Sequence, residues 1–184
     1  MSNFTQNAIR QTFTEMLEDV PFDKITVTAL TKACHISHNT FYYHYKDIYE
    51  LLDIWLNEEL GNYVWEEWEG GWEENTKALL HRCKDNAKIV YHIFNSLSRD
   101  HMERYVFSLT NDVFFQYVCR KAEGKNIPEE RLRDISDFCR YAFVGFVLRF
   151  FWNNMEDDID TGVEKLSGLF LGFVTQAIES SSGH

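Results

Sequence analysis

The sequence is short of helix interrupters, of paired cysteines and of any long unbroken apolar run. With only 2 Pro and 9 Gly in 184 residues, long helices around a generous core are expected, and disorder is not. The cysteines, Cys34, Cys83, Cys119 and Cys139, show neither CxxC nor paired Cys/His spacing, so buried, reduced thiols are expected. His81 and Cys83 lie two apart, on different sides of a helix, and no metal or other cofactor is expected. The longest apolar run, Phe138 to Trp152, is broken by Arg140 and Arg149 and falls short of the roughly 18 residues of a membrane span. The opening MSNFTQNAIRQTF lacks a basic segment followed by an apolar one, so the reading is a cytoplasmic protein with no membrane partner. There is no Gly-rich phosphate loop, no GxSxG and no HExxH, and Glu66, Glu67, Glu73 and Glu74 read as a solvated acidic face. No catalytic residue is assigned, and an enzyme is not expected.

What the chain does have is apolar and acidic. Hydrophobic residues make up 45% and aromatics 16%, and the net charge is −11. That charge opposes broad affinity for phosphate backbones. It is uneven, however: from Lys24 to Lys46 there are three lysines, three histidines and no acid.

Periodicity predicts an all-α chain of about nine helices, without internal repeats. Ile9, Phe13, Met16, Leu17 and Val20 recur at helical spacing and define a first helix that ends before Pro21. Thr26 caps a second helix running to Cys34, with Val27, Leu30 and Ala33 inward. His35-Ile36-Ser37 breaks the chain, and Ser37 caps a third helix, with Ile36 set to pack on Phe41 across the cap. Two short helices joined by a three-residue turn make a helix-turn-helix. Asp47 caps a fourth helix bearing Ile48, Leu51, Leu52, Trp55 and Leu56, and helix continues to a break at Gly70-Gly71. Further helices are expected over 76–84, 87–97, 101–122, from Pro128 toward Met155, and over 161–178.

The informative chemistry lies in the third helix. If Phe41 and Tyr45 face the core, 100° per residue puts Asn39 and Tyr43 opposite them, Thr40, Tyr42 and Lys46 on the flanks, and His38 and His44 at the border. Such a face of hydrogen-bonding groups and one cation suits the major groove of double-stranded DNA. His38 and Asn39 are placed for base edges; Thr40, Tyr42, Tyr43 and Lys46 are placed for phosphates. The competing reading makes the tyrosines ordinary packing aromatics and the histidines surface residues.

The segment ITVTALTKACHISHNTFYYHYKDIYELL, Ile25 to Leu52, resembles the amino-terminal signature of TetR-family regulators, with Ser37, Thr40, Phe41, Tyr42, His44 and Tyr45 matching in order. The likeness extends from about Ile9 to Trp55. It implies a DNA-binding domain over 1–47 and a helical regulatory and dimerisation domain over 48–184. It also implies DNA contacts from Thr26, His38, Asn39, Thr40, Tyr42, Tyr43, His44 and Lys46. Two positions depart from the pattern: His35 stands where a turn Gly is usual and must accept a left-handed or distorted conformation, and Ile48 replaces a common lysine.

The resemblance further implies a homodimer paired through the last two helices, on a palindromic operator, with repression as the usual outcome. Cys139, Phe143, Phe146 and Phe150 line one face of a helix too apolar for exposure on a monomer, and Gly168 and Gly172 permit close helix contact. Phe143, Phe146, Phe150, Leu169, Gly172 and Phe173 are the interface candidates, against the alternative of a purely intramolecular core. Trp65, Trp68, Trp72, Tyr91, Phe94, Tyr105, Phe107, Phe114, Phe115 and Tyr117 either line a pocket for a small-molecule inducer or are simply core, and no ligand contact is assigned. A second functional reading remains, because some family members resemble the regulators of dihydroxyacetone kinase. Those act as coactivators through a protein partner.

Overall fold

A computed structural model describes residues 2–65 and 71–181, without the side chains of residues 2, 3, 61–65, 109, 111 and 112. Glu66, Glu67, Trp68 and Gly70, named above, lie outside the described residues, as does the side chain of Trp65. The described residues are all-helical: α1 Ser2–Asp19, α2 Val27–Ala33, α3 His38–His44, α4 Ile48–Trp65, α5 Trp72–Asp85, α6 Ala87–Phe94, α7 Arg99–Leu109, α8 Asn111–Lys121, α9 Glu129–Trp152 and α10 Ile159–Ser181, with a 3₁₀ turn at Phe22–Lys24. The helices fall into two compact units, one of α1–α4, the last turn of α5 and α6, the other of the rest of α5 and α7–α10. The helix-turn-helix expected over 1–47 thus sits inside a larger packing unit.

Ten helices stand among the described residues where about nine were expected, because the stretch 101–122 divides at Thr110. Thr110 has φ −106° and ψ 3°, and its buried hydroxyl donates back to the Val106 and Phe107 carbonyls at 3.2 and 3.1 Å. This local bonding competes with the helix ladder and carries no Gly or Pro signal.

In the first unit Ile9, Phe13 and Leu17 are fully buried on one stripe of α1. Phe13 meets Phe22 and Trp55 edge-on, both at 6.2 Å between ring centroids. The Trp55 indole donates to Thr14 Oγ1 at 2.8 Å, and His92 of α6 donates from Nδ1 to the Leu17 carbonyl at 2.6 Å. On α2 the inward set differs from expectation: Leu30 is buried and Val27 half-buried, but Ala33 is exposed and Thr31 is buried, its hydroxyl satisfied by the Thr28 carbonyl.

The second unit is built on rings. Trp72 lies 5.7 Å from Phe114, 6.1 Å from Phe143 and 5.4 Å from Phe170, joining α5, α8, α9 and α10. Buried Arg140 stacks its guanidinium 3.7 Å from the centre of the Phe107 ring, while donating to Asp137 at 2.7 Å and to the Phe107 carbonyl at 2.9 Å. Glu73 departs from the expected solvated acidic face: it is half-buried and accepts from Ser167 at 2.6 Å, whereas Glu74 is exposed. Burial, with Glu73 and Cys139 adding to it, pushes the Tyr117 hydroxyl up to about 12. Burial likewise pushes the Cys139 thiol up to about 12, so it stays a thiol. Lys77 ties α5 to α10 through Glu164 at 3.1 Å and Asp160 at 3.9 Å.

Candidate nucleic-acid interface

The second and third helices are fixed by their ends. Thr26 accepts from the Ala29 amide at 3.1 Å, and Ser37 accepts from the Thr40 amide at 3.1 Å. Asp47 then accepts from the Tyr49 and Glu50 amides at 2.9 Å each, starting α4. Each cap satisfies amides that a helix cannot satisfy for itself, which matters most for helices of seven residues. Between α2 and α3, His35 has φ 53°, the left-handed conformation that the turn requires of a residue standing where Gly is usual. Its side chain is exposed, and Ile36 is half-buried.

α3 divides as the helical arithmetic requires. Phe41 and Tyr45 are buried, their rings 5.5 Å apart. Burial raises the Tyr45 hydroxyl above its ordinary value, an effect opposed by the neighbouring Arg10 guanidinium, which is itself held by Glu58 at 2.7 Å and Asn7 at 2.6 Å. On the far side Asn39 is exposed and Tyr43 is 81% exposed. His38, Tyr42 and Lys46 are exposed, Thr40 and His44 half-buried, and the Tyr43 and His44 rings meet edge-on at 5.0 Å. The Thr40 hydroxyl lies 2.9 Å from that of Ser37. Thr26 is exposed at the start of α2, so seven of the eight DNA-contact candidates belong to α3 or its end, and Thr26 stands apart from them in sequence.

Two exposed residues of α2 were not singled out from the sequence, and one of them, Thr28, bonds to this surface. Lys32 lies in the last turn of α2. Thr28 bonds to His38, 3.2 Å between Oγ1 and Nε2. The acid-free run from Lys24 to Lys46 was the signal for Lys32; for Thr28 only the fold brings two residues ten apart together. Lys24 is paired with Asp23 at 3.1 Å, and the Lys46 amide bonds to the Glu50 carboxylate.

The six interface candidates separate into two groups. Phe143 and Phe150 are 6% and 2% exposed, so they belong to the core of their own unit and are not available to a second chain. Phe146 is half-buried and sits over Gly162, where an added Cβ would come within 3.2 Å of its ring. Phe173 stacks on Phe138 at 4.2 Å. Leu169 is 71% exposed and Gly172 faces open space, as do Gly145 and Gly168. The apolar surface left uncovered includes two of the candidates, Leu169 and Gly172, with Gly168 and Leu171 of α10 and Phe138, Tyr141, Ala142, Gly145 and Trp152 of α9. Periodicity found an apolar helix but did not separate its core face from its exposed one, because α9 is apolar on two faces.

Among the described residues no group of three or more His, Cys, Asp or Glu could hold a metal, and no helix is long and apolar enough to cross a membrane. His81 bonds to Asp160 at 3.3 Å.

Residues 70–172, more than half of the chain, match a family model described as a transcriptional regulator C-terminal region. No curated protein matches. Among solved structures, one titled "Dihydroxyacetone kinase operon activator DhaS" is similar, with a TM-score of 0.68 and 14% identity over 94% of this chain and 97% of that one. At that identity the likeness speaks for the fold.

Proposed function

The chain belongs to the TetR family of transcriptional regulators, and from that we propose that it binds double-stranded DNA in the cytoplasm as a homodimer, through α3, at a palindromic operator. It is a regulator and not an enzyme. The observation that carries the DNA reading is the division of α3, with Phe41 and Tyr45 buried while His38, Asn39, Tyr42, Tyr43 and Lys46 are exposed. His38 and Asn39 then meet base edges, with Asn39 suited to two-point pairing with adenine. Thr26, Thr40, Tyr42, Tyr43, His44 and Lys46 position the helix on phosphates.

The exposed apolar stripe of α9 and α10 supports a two-fold dimer, for a surface of this kind is otherwise costly in water. Two copies of α3 would then reach half-sites roughly 34–36 Å apart or a multiple of that. Repression by occupying the operator is the first reading of the outcome.

A specific observation favours a second reading, activation with a protein partner. The chain carries a net charge of −11, and of the three lysines in the basic run Lys24 is already paired with Asp23. Few cations remain for phosphate neutralisation, which limits affinity for DNA alone. The similar solved structure is titled an activator.

Selection from a randomised duplex pool by the purified protein at low salt, followed by salt titration of the best fragment, separates these readings. A palindrome with a steep salt slope is expected of the autonomous homodimer. No enrichment would overturn autonomous binding in favour of the partner-dependent reading.

A further inference from the structure

Thr28 of α2 and His38, the first residue of α3, are both exposed, and their side chains meet across the turn at His35. The Thr28 hydroxyl oxygen lies 3.2 Å from His38 Nε2, and among the described residues it is the one side-chain hydrogen bond either group makes. A solvent-exposed bond of this length contributes little to folding. Its consequence is orientation. The last torsion of an unrestrained histidine is broad and two-fold, so either ring nitrogen can turn outward. With Nε2 engaged by Thr28, Nδ1 is the nitrogen left to face a base.

We infer that Thr28 is a positioning residue for base recognition, which holds the His38 ring so that Nδ1 alone addresses one base pair of each half-site. This rests on the reading of α3 as the DNA-facing helix. In a neutral ring one nitrogen donates and the other accepts, so the hydroxyl also selects the partner. When Thr28 donates to Nε2, Nδ1 carries the proton and addresses a purine N7 or guanine O6. When Thr28 accepts from Nε2, Nδ1 is bare and accepts from an adenine or cytosine amino group. An imidazole free to flip would present both patterns and discriminate less.

The test is selection from a randomised duplex pool with the full chain and its Thr28→Val, Thr28→Ser, His38→Ala and Thr28→Val/His38→Ala variants, with melting temperatures measured in parallel. Valine keeps the branched shape and removes the hydroxyl. Thr28→Val is expected to flatten preference at the same base pair that His38→Ala flattens, by about 2- to 12-fold, the net worth of one hydrogen bond. Thr28→Ser should retain the preference, and the double variant should match His38→Ala alone. Melting temperatures should not move. A uniform loss of affinity across all sequences in Thr28→Val would make Thr28 a phosphate contact and overturn the inference. So would loss in Thr28→Ser, or flattening at a different base pair. Failure of the unsubstituted chain to select any sequence is a different result, which overturns autonomous DNA binding and with it a base-reading role for Thr28 and His38 in the free chain.

Discussion

The two short helices of the first unit, α2 and α3, and the longest helix of the second, α9, are held in different ways. In the first, α2 and α3 are seven residues long, and each begins on a side-chain cap, Thr26 and Ser37. In the second, α9 runs 24 residues from Pro128 with no side-chain cap, and its position comes from Phe143, Val147 and Phe150 in the core. A short helix has too few internal bonds to define itself, so its ends must be specified. A long one can leave its ends loose and rely on burial. For DNA recognition the first method suits better, since a capped helix can leave most of its side chains outside.

The largest effects should come where packing is the support. Phe13→Ala in the first unit and Phe143→Ala in the second should each lose about 3–5 kcal/mol of stability by urea denaturation, because both rings are buried against other aromatics. A loss below about 1 kcal/mol for Phe143→Ala would mean that the second unit does not depend on its ring cluster. Next in size is Leu169→Arg, which leaves the core untouched because that side chain is 71% exposed. In the proposed dimer it would place a charge in the interface, so sedimentation should show association weakened at least about tenfold, or about 1.4 kcal/mol. Unchanged association would move the interface off this stripe of α10.

The same difference explains what could be read from sequence. Caps are local: Thr26, Ser37 and Asp47 were legible because each is a small polar residue before an apolar-periodic run, and the structure bonds all three as expected. The outward face of α3 followed from two buried aromatics. Ring clusters are not local. Nothing near Trp72 in sequence says that it meets Phe114, Phe143 and Phe170, and α9 is apolar enough that periodicity could not tell which face the core would take. Phe143 and Phe150 were therefore read as interface and are core. Thr110 hid a helix break for a related reason, since its hydroxyl can either follow the helix or bond back to it.

Where a cap is the support, effects should be smaller and local to its helix. Ser37→Ala should cost about 1 kcal/mol, by removing the acceptor for the Thr40 amide. Glu129→Ala, at the first turn of α9, should cost only a few tenths, since its pairing with Arg133 is exposed. Equal losses at the two sites would erase the distinction between capped and packed helices.

The smallest effect is expected at His35, where conformation alone is at stake. At φ 53° a residue with a Cβ is strained by about 1 kcal/mol, which Gly relieves. Gly also loosens the unfolded chain, which offsets about 0.4–1 kcal/mol of that gain. The His35 side chain is exposed, so no buried contact enters the balance. His35→Gly should therefore shift stability by no more than about 0.5 kcal/mol in either direction and leave the selected DNA sequence unchanged. A loss above about 1 kcal/mol, or a changed base preference, would show that the imidazole itself contributes, and that this turn is held by more than its backbone and the caps on either side.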